Sequence, residues 1–276
     1  MKFAFVLPAG SARDAADLAY EAEQSGWDGF FVYETVWGTD AWVSLAAAAM
    51  RTNTIRLGTD LTPPSRMRPW KLASETATVD DLSNGRLILG VGLGAVDTGF
   101  KQVGEVTDRK IRAELLDESL DIITGLWQGQ PFSYRGKHYT IDPIEFSAPP
   151  KIVQQPRIPI WCVGMWPKPK SMARALRYDG ILPNFVSSNG EPAAIPPVEE
   201  MAEMIEYIRQ QRNGQPYDVI MEGETPGDNP AEARALVQPW VEAGCTWWIE
   251  HRWGELNSPN VLEIVRKRIR QGPPRL

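Results

Sequence analysis

The 276-residue sequence predicts a (β/α)8 TIM barrel, and three observations carry that prediction. Short apolar runs of β type alternate with helix-type patterns eight times, and eight strand–helix units is the barrel number, where doubly wound sheets have fewer. The length is close to the roughly 250 residues typical of such barrels. The composition, 43% hydrophobic and 23% charged, is that of a globular chain able to bury a large core without disulfides or structural metal.

In chain order the strands are read at 2–8, 29–34, 55–62, 87–94, 158–164, 179–184, 217–222 and 245–250. The helices are read at 12–25, 40–51, 69–84, 108–127, 168–178, 197–212, 230–243 and 259–270. Helix ends agree with these spans. Asp40 and Asp108 are placed to cap the second and fourth helices, Pro69 suits a first turn, and Asn229-Pro230 opens the seventh. Gly26, Gly85 and Gly244 stand just past helices, where a left-handed residue is wanted. The irregular stretch is 128–157: two short β-type runs flank an Arg135-Gly136-Lys137 turn, a hairpin signal, and a run of prolines follows. The whole chain, 1–276, is therefore read as a single barrel domain, with 128–157 as an insertion segment in the fourth α-to-β connection.

The net charge of −6, with a single short basic run at Arg266-Lys267-Arg268, argues against a nucleic-acid partner. No apolar stretch reaches the roughly 20 residues a membrane span requires. The N-terminus has no signal-peptide pattern, so a cytoplasmic location is expected. Two cysteines, Cys162 and Cys245, sit far apart in apolar segments and read as buried thiols; with only two histidines, no metal site is expected.

In a barrel, active-site residues lie where strands end and βα loops begin. That rule selects Pro8 after strand one, Glu34, Thr35 and Trp37 after strand two, and Thr59, Asp60 and Thr62 on strand three. It adds Gly92 and Gly94 on strand four, Gly164 to Lys168 after strand five, and Asn184 on strand six. Glu222 and Glu224 follow strand seven, and Glu250, His251 and Arg252 follow strand eight. Gly90-Val91-Gly92-Leu93-Gly94 is not followed at once by a helix, which excludes a Rossmann turn, and neither a P-loop nor a GxSxG elbow occurs. Gly92 and Gly94 either let a flat ring approach the strand closely or relieve crowding in the barrel. Glu34 paired with Glu222 or Glu250 would also suit a hydrolase or lyase. Several of the eleven tryptophans, including Trp37, Trp166, Trp247, Trp248 and Trp253, fall at or near strand ends, which suits an apolar or aromatic substrate.

The residues resemble the luciferase-like monooxygenase family. The resemblance runs from Ile55-Arg56-Leu57-Gly58-Thr59-Asp60-Leu61-Thr62-Pro63 through Arg68-Pro69-Trp70 and Leu82-Ser83-Asn84-Gly85-Arg86-Leu87. It continues through Arg112-Ala113-Glu114-Leu115, Gly125-Leu126-Trp127, Arg157-Ile158-Pro159-Ile160-Trp161 and the Ala243-to-Glu250 segment. It implies a flavin-dependent oxidoreductase or monooxygenase of bacterial-luciferase-like fold that binds FMN, or alternatively the deazaflavin coenzyme F420, at the barrel mouth, with NAD(P)H as a candidate electron donor. It also implies a cis peptide at Asp60-Leu61 behind the flavin ring, and cofactor contacts at Pro8, Thr59, Asp60, Leu61, Gly92 and Gly94. The cofactor phosphate would lie at Gly164, Met165 and Trp166, with Lys168, Arg174 and Arg112 as candidate cations. Relatives carry Asp-His after strand two, where this chain has Glu34-Thr35, and sugar-phosphate dehydrogenases of the family carry an acid where this chain has Ala95. Glu34 and Thr35 are accordingly the catalytic candidates, Glu34 as base, and the sugar-phosphate activity is not carried over. Trp37, Asn184, Glu222, Glu250 and His251 are expected to line a pocket for a small apolar or aromatic substrate. The runner-up readings are a deazaflavin-dependent dehydrogenase and a flavin-binding barrel with little turnover; the expected partners are small molecules and, as one assembly state, a second copy in a homodimer.

Overall fold

The structure, a computed structural model, describes residues 1–186, 192–193 and 195–276. Strands β1 (Lys2–Leu7), β2 (Gly29–Val32), β3 (Arg56–Thr62) and β4 (Leu87–Val91) pair in parallel in chain order. Two strands then leave the pattern, β5 (Phe132–Arg135) and β6 (Thr140–Ile144), an antiparallel pair that forms its own sheet. The parallel sheet resumes with β7 (Ile160–Trp166) and β8 (Gly180–Val186), beside which the short β9 (Pro192–Ala193) pairs antiparallel. It closes through β10 (Asp218–Gly223) and β11 (Trp247–Glu250): β10 pairs with β8, and β11 pairs with both β10 and β1. Helices α1 (Ala12–Gln24), α2 (Ala41–Arg51), α3 (Pro69–Leu82), α4 (Arg109–Gln128), α5 (Pro169–Ala175), α6 (Val198–Gln211), α7 (Pro230–Ala243) and α8 (Val261–Arg270) alternate with the parallel strands. This is the (β/α)8 barrel the sequence predicts.

Helix ends follow the capping chemistry. Asp40, Asp108 and Asn229 accept from the backbone N–H three residues on, and Ser11 and Asp14 form a reciprocal capping box on α1. Gly26, Gly85 and Gly244 all take positive φ. The β5–β6 hairpin is clamped to α4 by Glu118, which accepts from the N–H groups of Lys137, His138 and Tyr139. The far end of the excursion is tied to α3 by Asp80, which accepts from Val153 and Gln154.

Apolar residues occupy both faces of the strands, as a barrel wrapped by helices requires. The outward rows pack under the helices. The inward rows bring Ala4, Val6, Phe31, Ile88, Trp161, Leu182, Ile220, Trp247 and Ile249 together in the barrel interior. Phe31 stacks on Trp161 at 5.3 Å, and Trp247 meets Trp161 at 5.1 Å. This aromatic plug occupies the barrel interior below the mouth.

The peptide between Asp60 and Leu61 is trans; among the described residues the cis peptides precede Pro131, Pro156 and Pro167. The pairing of β3 with β4 instead slips between Thr59 and Thr62, a bulge that re-aims the end of β3. Gly90 makes the bulge possible, because a Cβ there would lie 2.2 Å from the Thr59 carbonyl oxygen and 2.5 Å from that of Asp60. Gly90→Ala is expected to destabilise the fold by about 2–3 kcal/mol or more, since neither partner is a movable side chain. An unfolding free energy from urea titration within about 1 kcal/mol of wild type would show that the backbone yields.

Candidate active site

The C-terminal ends of the strands and the loops that follow them enclose a cavity of about 630 Å³. Its walls come from Tyr33 to Trp37 after β2, Asp60, Leu61 and Pro63 at the end of β3, Gly94 to Val103 after β4, and Trp253 and Leu256 after β11. A smaller space of about 280 Å³, lined by Pro8, Tyr33, Thr35 and Trp37 among others, adjoins it. The loops are cross-braced. Tyr33 donates to the Pro8 carbonyl and meets Trp253 edge-on, the Glu34 N–H donates to the Leu61 carbonyl, and Arg66 donates to the carbonyls of Glu34 and Thr35.

The cavity is mostly apolar, and its polar groups are short of partners. Glu34 Oε2, Asp60 Oδ1 and the Thr62 hydroxyl are buried without a hydrogen bond. Burial pushes the Glu34 carboxyl up to about 7, against the opposing pull of the Thr62 hydroxyl and the Arg66 charge. Asp60, nine-tenths buried, is held well above the ordinary aspartate range, first by loss of solvent and then by Glu222. Glu222 is itself raised by burial, with the Trp253 indole opposing. Orphaned polar atoms around an apolar hollow are what a heteroaromatic ligand with a few acceptor and donor atoms would satisfy.

Of the residues selected from sequence, Glu34, Thr35, Trp37, Asp60, Leu61 and Gly94 line this cavity, and Pro8 lines the adjoining space. Trp37 is 96% exposed and stands at the rim. Several others serve elsewhere. Thr59 is fully buried and donates to the Gly90 carbonyl within the sheet, so it offers nothing to a ligand. Both glycines read onto strand four lie beyond its end at Val91. Gly92 is packed between Leu61 and Val163, so the crowding explanation applies to it; Gly94, at φ +74, lies against Pro63 and Phe100.

At the phosphate site expected after strand five, several of the expected donors are already engaged. Helix α5 spans only seven residues. Pro167 has no N–H, the Met165 N–H donates to Ser171 Oγ, and the Lys168 N–H donates to the Met165 carbonyl. A side chain on Gly164 would strike Ile181, so this glycine serves packing, and Trp166 leans on Tyr207. Arg174 is bound by both its Nε and Nη2 to Asp117. Arg112 is 94% buried and donates to the carbonyls of Leu93 and Gly94, bracing the loop that forms one cavity wall. Of the cations selected from sequence, Lys168 alone stays solvent-exposed, and it lines neither space. Arg112→Met is expected to weaken ligand binding in the cavity equally for phosphorylated and unphosphorylated ligands, because the loss is loop geometry; a selective loss for the phosphorylated one would place an anion at Arg112.

Glu250 is not a pocket residue. It is fully buried on the outward face of β11, where it accepts from the Thr225 N–H and hydroxyl, the Trp248 indole and Arg268, and pairs with Arg252 at 2.6 Å. His251 stacks on Trp253 and sits 3.2 Å from Glu224, close to the mouth but outside the cavity wall, and burial lowers its pKa. Asn184 is exposed on β8, level with Met165 and away from the cavity. The residues missed from sequence, chiefly Tyr33, Phe100, Gln102, Val103 and Leu256, belong to loops. The long connection between β4 and α4 was the available signal, since structureless loops of that length are usually functional.

Residues 1–262 match the family described as luciferase-like monooxygenase. The chain belongs to that family. Among curated relatives it is 29% identical over 163 residues to a 5,10-methylenetetrahydromethanopterin reductase from Archaeoglobus fulgidus, a match covering 59% of this chain and 46% of the relative. It is 32% identical over 131 residues to the oxygenase component of a flavin-dependent trigonelline monooxygenase from Acinetobacter baylyi, covering 48% of this chain and 36% of the relative. The match thus spans about half or less of these relatives' length. The coenzyme F420-dependent tetrahydromethanopterin reductase from Methanopyrus kandleri superposes over 98% of this chain and 96% of its own, with a TM-score of 0.74 at 18% identity, a likeness of fold. No helix among the described residues is long and apolar enough to cross a membrane.

Proposed function

We propose that this luciferase-like protein is a flavin- or deazaflavin-dependent oxidoreductase, with the cofactor ring and a small apolar or aromatic substrate sharing the mouth cavity. The observation that carries the reading is the apolar hollow at the strand ends with Glu34 in its wall, one of whose carboxyl oxygens, Oε2, has no hydrogen bond. A cavity of about 630 Å³ suits a tricyclic ring better than a large polymer substrate. The named relatives include a coenzyme F420-dependent reductase and a flavin-dependent monooxygenase. FMN is the cofactor we favour, with F420 as the alternative and NAD(P)H as the candidate reductant.

When bound, such a cofactor supplies the redox chemistry, moving a hydride or, as reduced flavin, activating oxygen. This chain's residues bind, orient and exclude water. Leu61, Pro63 and Phe100 offer apolar contact, Asp60 a polar atom at the cavity floor, and Trp37 and Trp253 aromatic faces at the rim. Glu34, poised near neutrality, takes or returns a proton at its free Oε2, and the neighbouring Thr35 is the second candidate at that wall. The ring end of a flavin fits these residues, while Arg174 and Arg112, the candidate arginines for its anionic end, already bond Asp117 and the Leu93 and Gly94 carbonyls.

The test is a titration with FMN, riboflavin and the deazaflavin, followed by quenching of tryptophan fluorescence, with NAD(P)H-dependent oxygen uptake measured on the complex. Saturable quenching by at least one of the three is the expected result. Quenching by none of them would overturn the cofactor reading, and binding without turnover toward any acceptor would leave a flavin-binding barrel.

A further inference from the structure

Two carboxyls lie beneath the cavity with no cation to balance them. Asp60 stands two residues beyond Gly58, whose position would drive a side chain into the Phe31 ring of the barrel interior. Glu222 stands two residues beyond Ile220 of the same interior cluster. Alternation along the regular strand β10 turns Glu222 inward, and Asp60, at the β3 bulge, lines the cavity itself. Asp60 is nine-tenths buried, lines the cavity, and leaves its Oδ1 without any hydrogen bond. The arginines of the mouth donate to other groups, although Arg66 Nε and Arg112 Nε have no partner. Arg66, beyond β3, donates to the backbone carbonyls of Glu34 and Thr35, Arg112 of α4 donates to those of Leu93 and Gly94, and Arg252 after β11 pairs with Glu250. His251 and Glu224 face one another, and Glu34 adds a third acid. Among the described residues no lysine, arginine or histidine forms an ion pair with Asp60 or Glu222.

We propose that Asp60, backed by Glu222, is the hydrogen-bond donor of the cavity: a neutral carboxylic acid whose proton faces an acceptor atom, a carbonyl oxygen or ring nitrogen, of the heteroaromatic ligand. An ionised carboxylate in this position would be desolvated, unpaired and adjacent to a second acid, a far costlier arrangement than the protonated form. Glu222 is the neighbouring acid whose charge bears on Asp60, and Asp60 is the member that lines the cavity. Burial and the neighbouring acid both hold it protonated above the usual range. The cavity would then select neutral, acceptor-bearing rings and reject anionic ones. This inference rests on the cofactor reading given above.

The probe is riboflavin, which presents the ring without a phosphate, titrated into wild type, Asp60→Asn, Asp60→Ala and Glu222→Gln from about pH 5 to 9. Wild-type affinity should fall as pH rises, because ionisation removes the donor. Asp60→Asn, whose amide still donates, should bind within about threefold of wild type at low pH and show no such fall. Asp60→Ala should bind about tenfold more weakly throughout, and Glu222→Gln should move the wild-type fall to lower pH. Without ligand, the infrared difference between wild type and Asp60→Asn should show the carbonyl band of a protonated acid that the variant has lost, over any band from Glu34 and Glu222 that both proteins share. Absence of that band, or an Asn variant as weak as the Ala variant while wild type binds riboflavin, overturns this inference alone. Absence of binding by riboflavin, FMN and the deazaflavin at every pH overturns the cofactor reading and the inference together.

Discussion

Replacing Glu250 with alanine is expected to lower the free energy of unfolding by about 3–5 kcal/mol, the range for breaking a buried ion pair by removing one partner. The cause is local. The carboxylate is wholly buried, and two guanidinium groups, Arg268 at 4% and Arg252 at 12% side-chain exposure, would lose their counter-charge. Thr225 and Trp248 would each lose an acceptor as well. Because these groups lie between β11 and α8, outside the barrel interior, the affinity of ligands for the mouth cavity should stay within about threefold of wild type while the urea midpoint falls and the slope is unchanged. A stable Glu250→Ala protein that no longer binds ligand would return Glu250 to the pocket.

Glu250 also shows which part of the fold was legible from sequence. Alternating apolar runs and helix patterns located the parallel strands and the helices to within a few residues, because the strands are largely apolar and several helices, among them α2, α3, α4 and α7, carry a start signal. That same apolar character hides direction. Trp247 and Ile249 point inward, while Trp248 and Glu250 point outward, and adjacent tryptophans give no sign of which face is which. Position at a strand end was therefore a sound guide to height in the barrel and a poor one to which side of the wall a side chain occupies.

The cations failed for a related reason. Arg174 and Asp117 are 57 residues apart and meet only once α4 and α5 are packed, so local spacing gave no warning that the charge was already balanced. The trans peptide at Asp60-Leu61 corrects an expectation carried by resemblance; here a bulge opposite Gly90 redirects the chain. Glu34, Thr35, Asp60 and Leu61 were found because the loop after β2 and the end of β3 are short and lie directly over the plug. The wall formed by Phe100, Gln102 and Val103 was not found, since it belongs to a long loop whose path the sequence pattern does not set.

Glu34→Gln is expected to lower kcat by about 10²–10⁴, the usual contribution of a general base, and to remove one limb of the pH profile. With the folded carboxyl at about 7, wild-type kcat on the complex should rise as pH passes through that value, because the base is the ionised form. The same shift has a consequence for stability that needs no substrate. Glu34 binds its proton more tightly folded than unfolded, where 4.5 is the ordinary value, so between about 4.5 and 7 the folded protein holds more protons. Stability from this group is therefore full below about 4.5 and is lost as pH rises through about 7. Glutamine keeps the shape of the neutral acid and cannot ionise, so the variant should gain stability relative to wild type as pH rises across that window. Unfolding curves near pH 4.5 and pH 8 read the change directly. A stability difference independent of pH would show that Glu34 is not held neutral by burial. A variant that retains the rate limb near neutrality would place the base on another residue, with the acid pair of Asp60 and Glu222 next to be tested.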